Sequence, residues 1–187
     1  MNLPEAFRRS TAEFDARVQQ IGDDQWELPT PCSEWNVRDL LNHLVNEDRW
    51  AKPLFDGKTI AEVGDALDGD LLGDDPKKAW ADARAEADAA VSADDAMDKI
   101  VHVSFGDIPG SEYTMQLLTD HVIHAWDLAR AVGADETLDA ELVQMCHDVM
   151  APQEEMLRGS GAYGDKVAVP DGAGLQTRLL ALVGRKA

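Results

Sequence analysis

Basic residues are scarce in this chain. Lys and Arg number 17 against 36 Asp and Glu, which leaves a net charge of −19. A surface that acidic repels phosphate backbones and anionic lipid, so neither nucleic acid nor a membrane surface is expected as a partner. Cysteine is rarer still: Cys32 and Cys146 stand far apart, form no CxxC pair, and do not suggest a disulfide framework. No apolar run approaches the length of a membrane span, and no basic start followed by an apolar stretch marks a leader, so a cytoplasmic location is expected. A Gly-rich phosphate loop, a GxSxG elbow and an HExxH motif are all missing, which removes the commonest phosphate, serine-hydrolase and metalloprotease signatures.

What remains is an ordinary globular composition, 44% hydrophobic and 28% charged over 187 residues. That length suits a single domain over 1–187, as a monomer or a homodimer. Phe7, Thr11, Phe14, Val18 and Ile21 recur at the helical period and predict a helix from about Pro4 to Ile21. The Pro-rich WELPTPC stretch, 26–32, reads as a connector. Ser33 is the expected N-cap of a second helix, Glu34 to Ala51, striped by Val37, Leu40, Leu41, Leu44 and Val45, with Pro53 and Gly57 to stop it.

The Gly- and Asp-rich segment 56–75 reads as a long surface excursion. A third helix is expected over 76–92 and a short strand or hairpin at 99–105. A fourth helix is expected from Ser111 to Val132, ended by Gly133, and a fifth from Leu138 to Leu157. A glycine-rich loop follows over 159–174, and a last short helix over 175–183. The fold class is therefore all-α: a four-helix bundle with extra short helices and a small hairpin.

On the fourth helix Asp120 and His124 are four residues apart and share a face with Leu117, Leu128 and Ala131. A carboxylate in an apolar stripe must be paired, protonated or bound to a metal. His43, at the margin of the second helix's stripe, offers a third ligand. Two imidazoles and one carboxylate suit Zn²⁺ first, with Ni²⁺, Fe²⁺ or Mn²⁺ also compatible, and three protein ligands leave positions open for water or substrate. On the residues alone, a buried His–Asp hydrogen bond without a metal is equally open.

His121 is the rival ligand, and choosing it would leave Asp120 unexplained; it is assigned to the surroundings of the site or to the surface. His102 and His147 receive no role. Asp127 and Arg130 read as a local ion pair away from the ligand face. Cys32 lies beside the expected N-terminus of the second helix, where the dipole favours a thiolate, but a small buried residue in a tight connector is the simpler reading. Trp35, Trp50, Trp80 and Trp126 read as core or pocket-wall aromatics.

Several stretches together resemble the mycothiol-dependent maleylpyruvate isomerase family. They are TPCSEW at 30–35, VRDLLNHLV at 37–45, FGDIP at 105–109, HAWDLARA at 124–131 followed by Gly133, and the closing RLLALVGR at 178–185, which is similar to the ending of a compact actinobacterial branch. The resemblance runs from about residue 4 to 185. It implies the metal-binding domain of that family, a DinB-like four-helix bundle that holds one divalent metal through His, an acidic residue and His. His43, Asp120 and His124 fall on those motif positions, with Asp120 where the family often has Glu.

The resemblance also implies mycothiol as thiol cosubstrate, activated by the metal to attack a small electrophile in an isomerase or S-transferase reaction. The family isomerase has a separate C-terminal domain, for which 187 residues are expected to leave no room. The alternatives are a metal-dependent hydrolase, or a non-catalytic protein that binds a metal or small molecule. No catalytic residue beyond the ligands is assigned.

Overall fold

Asn2 starts the first helix, α1 (Leu3–Val18): its side chain accepts from the Glu5 amide at 2.9 Å, and Pro4 fills a first-turn position with no hydrogen bond to lose. The second helix, α2 (Val37–Phe55), begins later than its pattern predicts. Asn36, not Ser33, is the cap, and Asn36 and Asp39 close a capping box: the Asp39 amide donates to Asn36 Oδ1 at 2.8 Å, and the Asn36 amide donates to Asp39 Oδ2 at 3.1 Å. Pro53 lies inside the last turn of α2 without stopping it, and Gly57, in the left-handed region, ends the segment.

The excursion after α2 holds one turn of helix, α3 (Ile60–Val63), capped by Thr59 and Glu62. The helix α4 (Pro76–Val91) follows, and then the 3₁₀ turn Ala96–Asp98. Strands β1 (Ile100–Val103) and β2 (Gly106–Pro109) form an antiparallel hairpin that pairs Val101 with Ile108. The longest helix, α5 (Gly110–Val132), leaves the hairpin directly and stops at Gly133, whose φ of 76° needs no Cβ. Gly110 is constrained by close approach: a Cβ there would run into the Ala96 carbonyl and reach 2.8 Å from the Phe55 ring.

These elements come from a computed structural model that describes residues 1–156, 164–165 and 167–187. They make up the first of two compact units, Met1–Asp135. In it α1 packs on α4 and α5, and α2 packs on the same two, so four helices close a ring. Phe7 and Phe14 from α1, Leu40, Leu41 and Leu44 from α2, Trp80 from α4 and Leu117, Leu118 and Leu128 from α5 are all buried between them. This is the four-helix bundle expected from the sequence.

The second unit, Glu136–Ala187, is built on α6 (Ala140–Met150) and α7 (Leu175–Leu182), which bury Leu142, Val143 and Cys146 together with Leu179 and Leu180. Gln176 ties it together, donating to the Glu136 carbonyl at 2.8 Å and accepting from the Leu138 amide at 3.0 Å. A 3₁₀ turn, Ala151–Gln153, follows α6, so the expected helix to Leu157 changes character at Ala151. Leu157 itself, and part of the loop expected over 159–174, lie outside the described residues. No helix among the described residues is long and apolar enough to cross a membrane.

Candidate metal centre

Of the three expected ligands, α2 contributes one and α5 contributes two. One ligand atom from each of His43, Asp120 and His124 lies within 4.8 Å of the others. His43 Nε2 donates to Asp120 Oδ2 at 2.8 Å, and His124 Nε2 is 3.4 Å from Asp120 Oδ1. Both imidazoles therefore turn Nε2 toward one carboxylate, so the three side chains could share a single cation. Asp120 is less enclosed than its stripe suggests: its side chain is 27% exposed, against 7% for His124. The cluster opens toward solvent on the Asp120 side and closes against the core behind His124.

Behind His124 sits a residue that the sequence reading placed elsewhere. Asp127, fully buried, accepts from His124 Nδ1 at 3.0 Å. The expectation that it faces away from the ligands is therefore corrected; the i, i+3 spacing from His124 is the signal that could have found it. A carboxylate on Nδ1 holds the proton there, fixes the ring, and leaves Nε2 as the nitrogen that could ligate a metal. His43 has a looser counterpart in Glu47, one turn along α2, whose Oε1 is 4.0 Å from His43 Nδ1.

The electrostatics follow from this crowding. Burial pushes His124 down, but the Asp120 and Asp127 carboxylates outweigh it and raise its pKa to about 9. Burial pushes Asp120 up, yet His124 and His43 together hold its carboxyl well below the usual range. Glu47 is raised, first by burial and then by the charge of Asp120. Without a metal the three ligands thus form a proton-bridged cluster, and a cation would have to displace those protons.

Trp35 roofs the cluster, with its ring centroid 4.7 Å from that of His43 and 5.9 Å from that of His124. It is delivered by a tight turn in which the Thr30 amide donates to the Trp35 carbonyl at 3.1 Å and Glu34 takes a φ of 74°. The same turn holds Cys32 in the tight connector expected of it. With the helix beginning at Val37, Cys32 is inside the turn, half-buried rather than buried, and its backbone carbonyl accepts from the Trp35 amide at 3.2 Å.

Beside His43 a pocket of about 500 Å³ is lined by Trp35, Asn42, Asn46, Asp68 and Gly69 among others. Leu67, Asp68 and Gly69 of the 56–75 excursion form one wall of it. Two asparagines of α2 pin that wall. Asn42 donates to the Gly69 carbonyl at 2.9 Å and accepts from the Leu71 amide at 2.8 Å, while Asn46 donates to the Leu67 carbonyl at 2.6 Å.

His121 is not a ligand of this cluster. It is fully buried and lies 3.0 Å from Asp48 of α2. His102 pairs with Asp107 at 2.7 Å on the exposed hairpin, and His147 is on α6. Trp80 is core, donating from Nε1 to Asp15 at 3.1 Å, and Trp126 is buried under the Arg130 guanidinium at 4.5 Å.

Residues 7–129 match the family described as the mycothiol maleylpyruvate isomerase N-terminal domain. Two proteins of Mycobacterium tuberculosis, from strains CDC 1551 and H37Rv and both described as uncharacterized, are 31% identical over 186 residues, covering 96% of this chain and 96% of their own. The fold is similar to crystal structures of the mycothiol-dependent maleylpyruvate isomerase, with a TM-score of 0.61, and of a mutant of it, with a TM-score of 0.64. Both are 16% identical to this chain and cover 88% of it and 74% of themselves, a likeness of fold. The DinB-like bundle read from the sequence is the fold present. With the family match spanning α1 through most of α5, the chain belongs to the mycothiol maleylpyruvate isomerase N-terminal domain family.

Proposed function

We propose that this protein is a divalent-metal enzyme that uses a low-molecular-weight thiol, mycothiol, on a small electrophile, as an isomerase or an S-transferase. The observation that carries the reading is the convergence of one ligand atom each from His43, Asp120 and His124 within 4.8 Å of one another, with both Nε2 atoms turned to the Asp120 carboxylate. The donor set fits the group: two imidazole nitrogens and one carboxylate are what Zn²⁺, Ni²⁺, Fe²⁺ or Mn²⁺ accept, and Asp127 supplies the outer carboxylate that such histidines use. When bound, a divalent cation supplies a Lewis acid beside which a thiol ionises near neutral pH and becomes a nucleophile.

The chain's own residues do the rest. Asp127 retains the proton on His124 Nδ1, so that Nε2 alone faces the cluster. Trp35 covers both imidazoles and keeps bulk water from that side. Asn42 and Asn46 hold the loop backbone at 67–71 as the far wall of the pocket, giving the electrophile a fixed place next to His43.

The test is elemental analysis of the purified protein beside H43A/H124A, followed by turnover assays with and without thiol. Near-stoichiometric metal in the wild type, little in the variant, and turnover only with thiol are expected. Metal-free wild type after reconstitution would overturn the metal reading. Turnover of ester or amide substrates without thiol would favour hydrolysis instead.

A further inference from the structure

The bundle contains a second His–Asp couple that the proposed chemistry does not use. Asp48 of α2 and His121 of α5 are both fully buried, with Oδ1 and Nε2 3.0 Å apart. Each occupies a position that helical periodicity reserves for an apolar side chain. Asp48 follows Leu44 by one turn and precedes Ala51, and His121 follows Leu117 and precedes Leu128, all buried. The surroundings are aromatic: the His121 ring centroid is 5.4 Å from Phe7, 6.4 Å from Phe14 and 5.9 Å from Trp80. His121 thus touches α1, α4 and, through Asp48, α2.

The geometry is imperfect in a telling way. Neither Asp48 oxygen, neither ring nitrogen of His121 and not the nearby buried Tyr113 hydroxyl has a hydrogen bond among the described residues. Such groups reduce stability, and apolar side chains of similar size would usually serve the core as well or better. A buried polar couple kept at that cost is best explained by what it specifies, and its best-attested use is to fix helix register.

The register in question is the one that assembles the metal cluster. His43 and Asp48 are five residues apart on α2; Asp120 and His121 are adjacent on α5. The two helices therefore meet through two crossed contacts. At the mouth, a histidine of α2 meets an aspartate of α5 at 2.8 Å; in the core, an aspartate of α2 meets a histidine of α5 at 3.0 Å. Sliding α5 by one residue would break both contacts at once. An all-apolar core offers no such penalty, because Leu and Phe pack against one another in more than one register.

We infer that Asp48 and His121 are positioning residues: they lock α2 against α5 so that His43 reaches the pair Asp120 and His124. The consequence for metal rests on the proposed function, whereas the consequence for geometry does not. The experiment compares wild type with D48N and with D48L/H121L, using H43A/H124A as the metal-free reference. Three quantities are read: zinc affinity by chelator competition, the ring ¹H–¹⁵N signals of His43 and His124 in metal-free protein, and the melting temperature.

In D48L/H121L the melting temperature is expected to stay level or rise while zinc affinity falls on the order of tenfold. The His43 and His124 ring signals shift in the same variant. A folded D48L/H121L with wild-type zinc affinity and unchanged ring signals would overturn the inference. If wild type binds no zinc, the proposed function fails by itself, and the ring signals alone decide on positioning: shifted signals support it, unchanged ones refute it. Should D48L/H121L not fold, D48N is judged by the same readouts.

Discussion

The two His–Asp contacts between α2 and α5 use the same side chains and similar distances, yet their surroundings assign them different work. His43–Asp120 lies at the rim, has a third candidate donor in His124 within reach, and borders a pocket of about 500 Å³. Asp48–His121 is sealed among Phe7, Phe14 and Trp80, and no third donor joins it in the metal-type grouping found among the described residues. A histidine and an aspartate at contact distance are therefore a candidate ligand set only where a further donor converges and solvent has access. Where rings close in instead, the same pair becomes a structural constraint.

The largest effect should come from exchanging the two contacts' roles by mutation. H124A is expected to abolish stoichiometric zinc binding while leaving a folded protein. H121A is expected to keep stoichiometric zinc binding at reduced affinity and lose about 3–5 kcal/mol of stability, because it strands a buried Asp48. Zinc stoichiometry beside chemical denaturation reads both. Zinc lost in H121A and retained in H124A would invert the comparison. Next in size is D127N, which removes the carboxylate behind His124 but none of the three ligands. Zinc should still bind stoichiometrically, about 10–100-fold more weakly by chelator competition.

The rim contact should make stability depend on pH. The folded pKa of His124, about 9, lies above its ordinary value, so in metal-free protein its contribution is complete below about pH 6.5 and is lost as pH rises through 9. Asp120 acts in the opposite sense: its depressed pKa stabilises above about pH 4 and the benefit is lost as pH falls further. Metal reverses the alkaline branch, since it needs the deprotonated nitrogen. Melting with and without chelator should therefore show a metal-induced gain that grows between pH 6 and 9. A gain that shrinks over that interval would rule out His124 Nε2 as the site of displacement.

How much of this was legible in the sequence depends on how local the signal is. The helices, the hairpin and the Gly133 stop were readable, because periodicity and turn chemistry act within a few residues. The cluster of His43, Asp120 and His124 was readable as a candidate set because two of its members share a helix face, the third stands at the margin of another helix's apolar stripe, and all three fall on family motif positions. The start of α2 was misplaced by a competing cap: Ser33 looked adequate, but the Asn36–Asp39 box satisfies two backbone amides at once. Asp48 and His121 could not be read as a couple, since the contact depends on how two helices face each other across the core. Glu47 and Asp127 were hidden for a related reason. Each is one turn from a candidate ligand on its own helix, a spacing that marks it for attention, but the direction of the imidazole decides whether it stands behind the ring.

The smallest effect expected concerns the pocket wall rather than either contact. Asn42 uses both ends of its amide on the loop, at the Gly69 carbonyl and the Leu71 amide, whereas Arg38 holds the same loop through an exposed pair with Asp70 at 2.8 Å. An exposed ion pair contributes at most about 1 kcal/mol and weakens with salt. Two amide hydrogen bonds that fix a backbone contribute about 1 kcal/mol each and do not. N42A should therefore speed amide exchange at Leu71 and raise KM with little change in kcat, at low and at high salt alike. R38A should do so less, and only at low salt. If N42A leaves both exchange and KM unchanged, the loop is held by something other than the amide, and the pocket beside His43 owes its shape to the α2 side chains alone.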